Sequence, residues 1–546
     1  MNLGNKVVYQ IYPKSFQDTN SDGIGDLKGI IKHLDYLEEL GVDYIWITPF
    51  YVSPQNDNGY DIADYRNIDP MYGTMEDFDL LVKEAAKRNI YLMMDMVFNH
   101  CSTRHEWFQK ALKGDPYYRD FFIFKKGKNG LPPTNWESNF GGDAWSYLPE
   151  TDEYYLHLFH VTQADLNWDN PNVRQACYDI VNFWIDKGVK GFRFDVINLI
   201  SKTGIYKDDL TGNGKKYYTD GPRIHEYLQE LNRNTFGRYD DIITVGEMSS
   251  TTLENSIRYS NPASHELSMI FSFHHLRIDY PSGNKWQIQP FRFHDLKKNL
   301  FTWQREMEKG GGWNALFWYN HDQPRIVSRI GDEGKYRLES AKMLATTIHG
   351  LKGTPYIYQG EEIGMTNAGF TDISQYRDIE SLNYYNLMKR KGKPEEEIYE
   401  SLRRKSRDNS RTPMQWDDSE NAGFSDVQPW ISVIPNYKEI NTLDRESDNS
   451  IFNYYRKLIR LRKTVPVIAD GIFEALLEED DRILAYKRIN STQELYVFCN
   501  YFPEETQVSL NIPADCRCIL SNYNEDIRPE NLTLRPYEAI MFLRDI

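Results

Sequence analysis

The run VRQACYDIVNFWIDK (residues 173–187), followed by GFRFDV (residues 191–196), decides the fold. In the first run Val173, Cys177, Ile180, Val181 and Trp184 recur on one face at helical spacing, which predicts a helix. The second reads as a strand: Arg193 and Asp195 share one face, while Phe192 and Phe194 take the other. Working outward, seven more short apolar runs predict strands at 7–12, 44–48, 91–97, 242–248, 267–273, 315–321 and 354–359. Between them helical patterns occupy 27–40, 75–88, 223–232, 296–308 and 337–349. Eight strands, most followed by a helix, predict an α/β protein built on a (β/α)8 TIM barrel. The competing doubly wound sheet would want a Gly-rich dinucleotide turn after an early strand, and none is present.

One gap is abnormal. About seventy residues separate the third strand from the helix that opens at Pro171, too many for a structureless loop, which predicts an inserted B domain after strand 3. Further excursions are expected at 202–220 and 360–421. From residue 471 the pattern turns to strand alternation without helices, at 482–488, 494–499, 507–512 and 539–543, which predicts a C-terminal antiparallel β domain. The expected division is a barrel of residues 1–100 and 171–470, an inserted domain at 101–170, and a β-sandwich-like domain at 471–546.

The chain has 546 residues, 64 Lys+Arg and 80 Asp+Glu, a net charge of −16. That balance argues against a nucleic-acid binder, which needs a basic face, and against a membrane-surface protein, which wants Lys/Arg clusters. Forty per cent hydrophobic residues are enough for a large core, so wholesale disorder is excluded. No apolar leader or 18-residue apolar run occurs. The five cysteines are odd in number and lack zinc-ligand spacing, and Cys516 and Cys518 face one side of a strand. A cytoplasmic enzyme with free thiols, working as a monomer, is expected.

Barrel chemistry sits at the C-terminal strand ends. Those ends read Asp95-Met96-Val97-Phe98-Asn99-His100, Gly191-Phe192-Arg193-Phe194-Asp195, Thr244-Val245-Gly246-Glu247 and Asn320-His321-Asp322-Gln323. Convergent carboxylates without a nucleophilic Ser/His pair or a His metal cluster fit glycoside cleavage. Arg193 beside Asp195 favours the ionised form and suits a nucleophile. Glu247, among apolar neighbours, suits a general acid/base.

These four segments, in order, resemble the signature regions of the α-amylase family of glycoside hydrolases (family thirteen). The resemblance runs over essentially the whole chain and implies a barrel with a B domain and a C-terminal β domain. It implies Asp195 as nucleophile, Glu247 as acid/base and Asp322 as a third acid that stabilises the transition state. His100 and His321 match the histidines on the sugar hydroxyls, and Arg193 the arginine beside the nucleophile. Asp57 and Arg411 match the pair that grips a non-reducing terminal glucose, with Tyr60 as its stacking platform. That pocket belongs to the exo-acting glucosidase branch. Gln163-Ala164-Asp165-Leu166-Asn167 is similar to a motif of that branch, with Ala164 where Pro is usual.

The loop Asp18-Thr19-Asn20-Ser21-Asp22-Gly23-Ile24-Gly25-Asp26 has the oxygen spacing of the first half of a Ca²⁺ loop, but Gly29 replaces the closing Glu. A solvated Asp/Asn turn is the alternative. The resemblance implies a structural Ca²⁺ or Mg²⁺ held by Asp18, Asn20, Asp22, the Ile24 carbonyl and Asp26, with no catalytic cofactor. After the sixth strand, His275, Arg277 and Lys285 form a basic cluster in an acidic chain, as phosphate recognition requires. A solvated basic loop paired with acids is the alternative. With residues 218–225, this loop resembles the trehalose-6-phosphate hydrolase branch more than the oligo-1,6-glucosidase branch. That implies a phosphorylated disaccharide as substrate, with neutral isomalto-oligosaccharides the runner-up. A non-catalytic, transporter-associated barrel is the alternative from another class; it would need a membrane anchor, and some of that kind lack the acids.

Overall fold

The computed structural model describes residues 1–523 and 527–546. Eight parallel strands form its centre: β1 (Val8–Ile11), β2 (Tyr44–Ile47), β3 (Tyr91–Val97), β4 (Gly191–Asp195), β5 (Ile243–Glu247), β6 (Met269–Phe271), β7 (Ala315–Leu316) and β8 (Thr354–Tyr358). They are hydrogen-bonded in the order β6-β5-β4-β3-β2-β1-β8-β7. A single parallel bridge between Ile270 and Asn314 closes the ring, with the Ile270 N–H donating to the Trp313 carbonyl at 3.3 Å. The α/β barrel expected from the alternation is therefore present, and strand periodicity decides which side chain faces where. Val8, Tyr44, Trp46, Met93, Val245 and Tyr356 pack together in one cluster inside it. Phe192 and Phe194 belong to the larger cluster between sheet and helices.

Helix Pro171–Asp186 opens with Asn170 as N-cap and Pro171 in its first turn. Such an opening suits a residue that has no N–H to lose. Its buried side chains include Val173, Cys177, Ile180, Val181 and Trp184, the face read from the sequence. Other boundaries differ. The helix expected at 27–40 breaks at His33 into Leu27–Lys32 and Leu34–Leu40. There the His33 ring stacks on Trp416 at 3.5 Å and its Nε2 meets Gln17 Oε1 at 2.8 Å. The strand expected at 315–321 keeps only two residues, and beyond it Trp318 Nε1 donates to the Leu344 carbonyl of helix Arg337–Gly350 at 2.7 Å.

The excursion at 360–421 is largely helical, with Ile379–Arg390 and Glu395–Lys405 its main elements. Glu395, Glu396 and Glu397 fill the first turn of the latter and Arg403, Arg404 and Lys405 the last, complementing the helix dipole. Inside 101–170, strands Phe124–Lys125, Glu153–Leu156 and Trp145–Leu148 make a small antiparallel sheet. His100–Ser102 and Gln163–Asp165 pair antiparallel and tie the two ends of this insertion together.

Beyond residue 471, β9 (Ile472–Leu476), β10 (Ile483–Ile489), β11 (Gln493–Asn500), β12 (Arg517–Ser521) and β13 (Ala539–Asp545) form an antiparallel sheet ordered β9-β10-β11-β13-β12. The strand expected at 507–512 reduces to Thr506–Gln507. The buried guanidinium of Arg488 donates to the carbonyls of Gly350 (2.8 Å), Ile468 (3.1 Å) and Gly471 (3.0 Å), joining this sheet to the barrel helices. Among the described residues no helix is long and apolar enough to cross a membrane.

Candidate active site

Register brings the charged residues together. Arg193 on β4 lies level with Asp95 on β3 and Val245 on β5. Its buried Nη1 meets Asp95 Oδ1 and Asp195 Oδ1, each at 2.7 Å, while Nη2 binds Glu247. The Val196 N–H donates to Glu247 Oε2 at 3.3 Å, from a residue held at φ 34°. A β-branched residue in that left-handed region is strained, a condition that clusters at functional sites. Trp46 Nε1 and Tyr60 Oη both donate to Asp95 Oδ2 at 3.0 Å, so Asp95 braces the arginine from below.

One guanidinium thus faces three carboxylates, and all three ionised would leave two uncompensated charges in a largely buried site. Burial pushes Asp195 well above the usual range; Arg193 pulls it down, and Glu247 and Asp95 push it up again. Burial also raises Asp95, to about 6, against the pull of Arg193. Asp195 and Asp95 each contact the same guanidinium nitrogen, so their titrations are linked. A proton donor next to an ionised carboxylate is what glycoside cleavage by two acids requires. Burial and the two other acids push Asp195 away from the ionised form, while Arg193, as expected of an arginine on the same strand face, pulls it toward that form.

Asp322 has the opposite environment. Burial raises its carboxyl, but His321, Arg407, Arg411 and Arg193 outweigh that and hold it well below the ordinary range. Gln10 Nε2 donates to His321 Nδ1 at 2.8 Å, which leaves Nε2 facing Asp322 Oδ2 at 3.4 Å. The Tyr60 and His321 rings lie parallel at 5.3 Å. His100 lines the pocket, and burial lowers it to about 4, so it is neutral.

Asp57 and Arg411, expected to grip one sugar together, have different ion-pair partners. The partner of Asp57 is Arg407 Nη2 at 3.4 Å, and Gln163 Nε2 donates to this carboxylate at 3.0 Å. Arg411, one helical turn on, is buried behind Asp322, 2.7 Å from its Oδ1, and reaches Asp57 only at longer range. Arg407 also meets Asp322 at 3.1 Å and Asp378 at 2.5 Å, so the arginine that faces the pocket is one the motif reading passed over. Burial lifts Asp57 to about 7 against both arginines.

The pocket has a volume of about 240 Å³. Asp195, Glu247 and Asp57 are its buried acids, joined by the partly exposed Asp322; Phe140, Phe159, Tyr280, Arg277, Lys285 and Glu380, none of them buried, also line it and mark its mouth. His275, expected with Arg277 and Lys285, is elsewhere. Its Nε2 meets the Phe317 carbonyl at 2.8 Å beneath the loop, and burial lowers it to about 4. Arg277 Nη1 donates to Ser250 Oγ at 2.8 Å, and Lys285 Nζ pairs with Glu380 at 2.5 Å. Arg407, Asp378 and Glu380 come from a segment more than fifty residues beyond Asp322, and only the arginine-rich motif around Arg407 signals any of them.

The loop at 18–26 lies apart from this pocket. Asp18 Oδ1 accepts the N–H groups of Asn20 (3.0 Å) and Ser21 (2.8 Å), and Oδ2 accepts Gly23 N–H at 2.8 Å and Ser425 Oγ at 2.6 Å. Asp26 Oδ1 caps the following helix through Gly29 N–H at 2.7 Å, and Asp22 Oδ1 accepts the Ile24 N–H at 2.8 Å. Among the described residues no three His, Cys, Asp or Glu side chains converge as a ligand group. The loop's hard oxygens and three negative charges nevertheless match a divalent cation in type.

Residues 10–471 match the description "Alpha amylase, catalytic domain". A trehalose-6-phosphate hydrolase of Bacillus subtilis is 55% identical over 544 residues, 98% of this chain and 97% of that one. An oligo-1,6-glucosidase of Parageobacillus thermoglucosidasius is 52% identical over 552 residues, covering 98% of each. The crystal structure of Bacillus licheniformis trehalose-6-phosphate hydrolase superposes with a TM-score of 0.95 at 56% identity, over 99% of both chains.

Proposed function

The chain belongs to the α-amylase family of glycoside hydrolases, and within it we propose hydrolysis of trehalose 6-phosphate to glucose and glucose 6-phosphate with retention of configuration. The observation that carries this is the pairing of a deep carboxylate pocket with two cations, Arg277 and Lys285, at its mouth. The similarity to trehalose-6-phosphate hydrolases supports it. Glu247 donates its proton to the glycosidic oxygen while Asp195 attacks the anomeric carbon, forming a glucosyl ester as the carbon–oxygen bond breaks. Glu247 then takes a proton from water, whose oxygen displaces Asp195 and releases glucose. Asp322, kept ionised by its arginines, stabilises the cationic sugar in both transition states. Asp57 and Arg407 hold the outer edge of the terminal glucose.

Arg277→Ala or Lys285→Ala loses about 1.5–3 kcal/mol of binding to the phosphorylated substrate. The ratio of kcat/KM on trehalose 6-phosphate to kcat/KM on an aryl α-glucoside then falls roughly ten- to a hundredfold. An unchanged ratio would sink the phosphate reading. Oligo-1,6-glucosidase is the second reading, favoured by the neutralisation of Lys285 by Glu380. Parallel assays on trehalose 6-phosphate, trehalose and isomaltose separate the two.

A structural Ca²⁺ or Mg²⁺ on Asp18, Asn20, Asp22, the Ile24 carbonyl and Asp26 belongs to the same proposal. No Lys or Arg among the described residues pairs with these carboxylates. Chelation lowers stability by about 2–3 kcal/mol relative to an ion held at a hundred times its Kd. A melting temperature indifferent to both EDTA and added Ca²⁺ or Mg²⁺ would rule the ion out.

A further inference from the structure

We propose that Glu380 is a specificity-determining residue: by neutralising Lys285 it weakens the hold on phosphate enough for the anionic product to leave. This rests on the phosphate reading of the pocket mouth. Glu380 Oε2 lies 2.5 Å from Lys285 Nζ and 3.6 Å from Arg407 Nε, so one carboxylate links the mouth to the ion pairs below. Helix Ile379–Arg390 fixes it there. Asp378 is the N-cap, and Glu380 occupies the first turn, where the helix dipole favours an acid. One turn later Tyr384 stacks on Trp286, the neighbour of Lys285, at 4.2 Å and 9°. The helix therefore grips Lys285 and Trp286 through residues four apart. Arg277 pairs with no carboxylate among the described residues.

A phosphate monoester carries about −1.5 to −2 at pH 7. Two free cations at the mouth would bind it strongly, but hydrolysis leaves the phosphate where it was. Contacts that are equal in substrate, transition state and product do not speed the chemistry, and they slow release. Glu380 removes one positive charge from this shared contribution. The pair is partly exposed, so its influence is moderate.

Glu380→Gln preserves shape and deletes the charge. The Ki of glucose 6-phosphate, read as a ratio to the Ki of glucose, then falls about three- to thirtyfold. KM for trehalose 6-phosphate falls in step, and kcat falls with it where release limits turnover. In a Lys285→Met background the same substitution shifts the ratio by less than half as much, because the interaction is pairwise. A ratio unchanged or raised in Glu380→Gln, or a full shift persisting without Lys285, overturns the proposal. Failure of the phosphate reading is separable: it appears as an unchanged substrate ratio in Arg277→Ala and Lys285→Ala.

Discussion

Asp195→Asn lowers kcat by at least ~10⁴-fold, the scale on which removal of the proposed nucleophile is felt. The amide keeps the volume of the carboxylate and can still accept from Arg193 Nη1, which lies 2.7 Å from Asp195 Oδ1. It cannot form the glucosyl ester. The fold does not suffer, because one of three acids crowded around a single guanidinium is removed. The sign follows from the raised carboxyl of Asp195: a group that holds its proton more tightly folded than unfolded loses its contribution as pH rises above the unfolded carboxylate range. The variant therefore gains stability relative to the parent between pH 5 and pH 8. Steady-state kinetics on trehalose 6-phosphate and calorimetry at both pH values check this. Loss of cooperative unfolding would instead make Asp195 a structural residue.

Arg193→Met has the largest expected effect on stability, about 3–5 kcal/mol, because Asp95, Asp195 and Glu247 are left buried without a counter-ion. Urea denaturation reads it, and the loss is greater at pH 8 than at pH 5.5, where the acids can take up protons. Arg193→Lys does not restore the parent. A point charge cannot reproduce the fork in which Nη1 serves two carboxylates and Nη2 the third. A loss below about 1 kcal/mol would mean that the carboxylates find other partners.

The barrel was legible because its strands announce themselves as apolar runs that end in a charge, with Asp95, Asp195 and Glu247 each at or near a C-terminal end. Alternation also put Arg193 and Asp195 together on one face, opposite Phe192 and Phe194. Where the reading fell short, a longer-range contact decided. In helix Ile379–Arg390 the apolar residues, among them Leu382, Tyr384, Tyr385, Leu387 and Met388, are spread around the helix, and in Glu395–Lys405 only Ile398, Tyr399 and Leu402 mark the buried apolar face. Arg407 and Arg411 share a motif and are one turn apart, and both meet Asp322 and Asp378 from other segments, yet only the former pairs with Asp57. His275 sits two residues before Arg277, but the chain turns after Phe271 and its ring goes under the loop to the Phe317 carbonyl. Sequence proximity could not separate the two.

The eight-stranded ring is closed by one bridge, between Ile270 and Asn314. Every other junction has at least two ladder pairs. This thin joint adjoins β6, from whose end the segment bearing Arg277 and Lys285 departs. Insertions and exchanges there disturb few shared hydrogen bonds, while β3, β4 and β5, which carry Asp95, Asp195 and Glu247, are laced on both sides. Divergence among relatives can therefore rewrite the end of the cleft that carries Arg277 and Lys285 and leave the carboxylate end untouched. The architecture separates what the enzyme does from what it does it to.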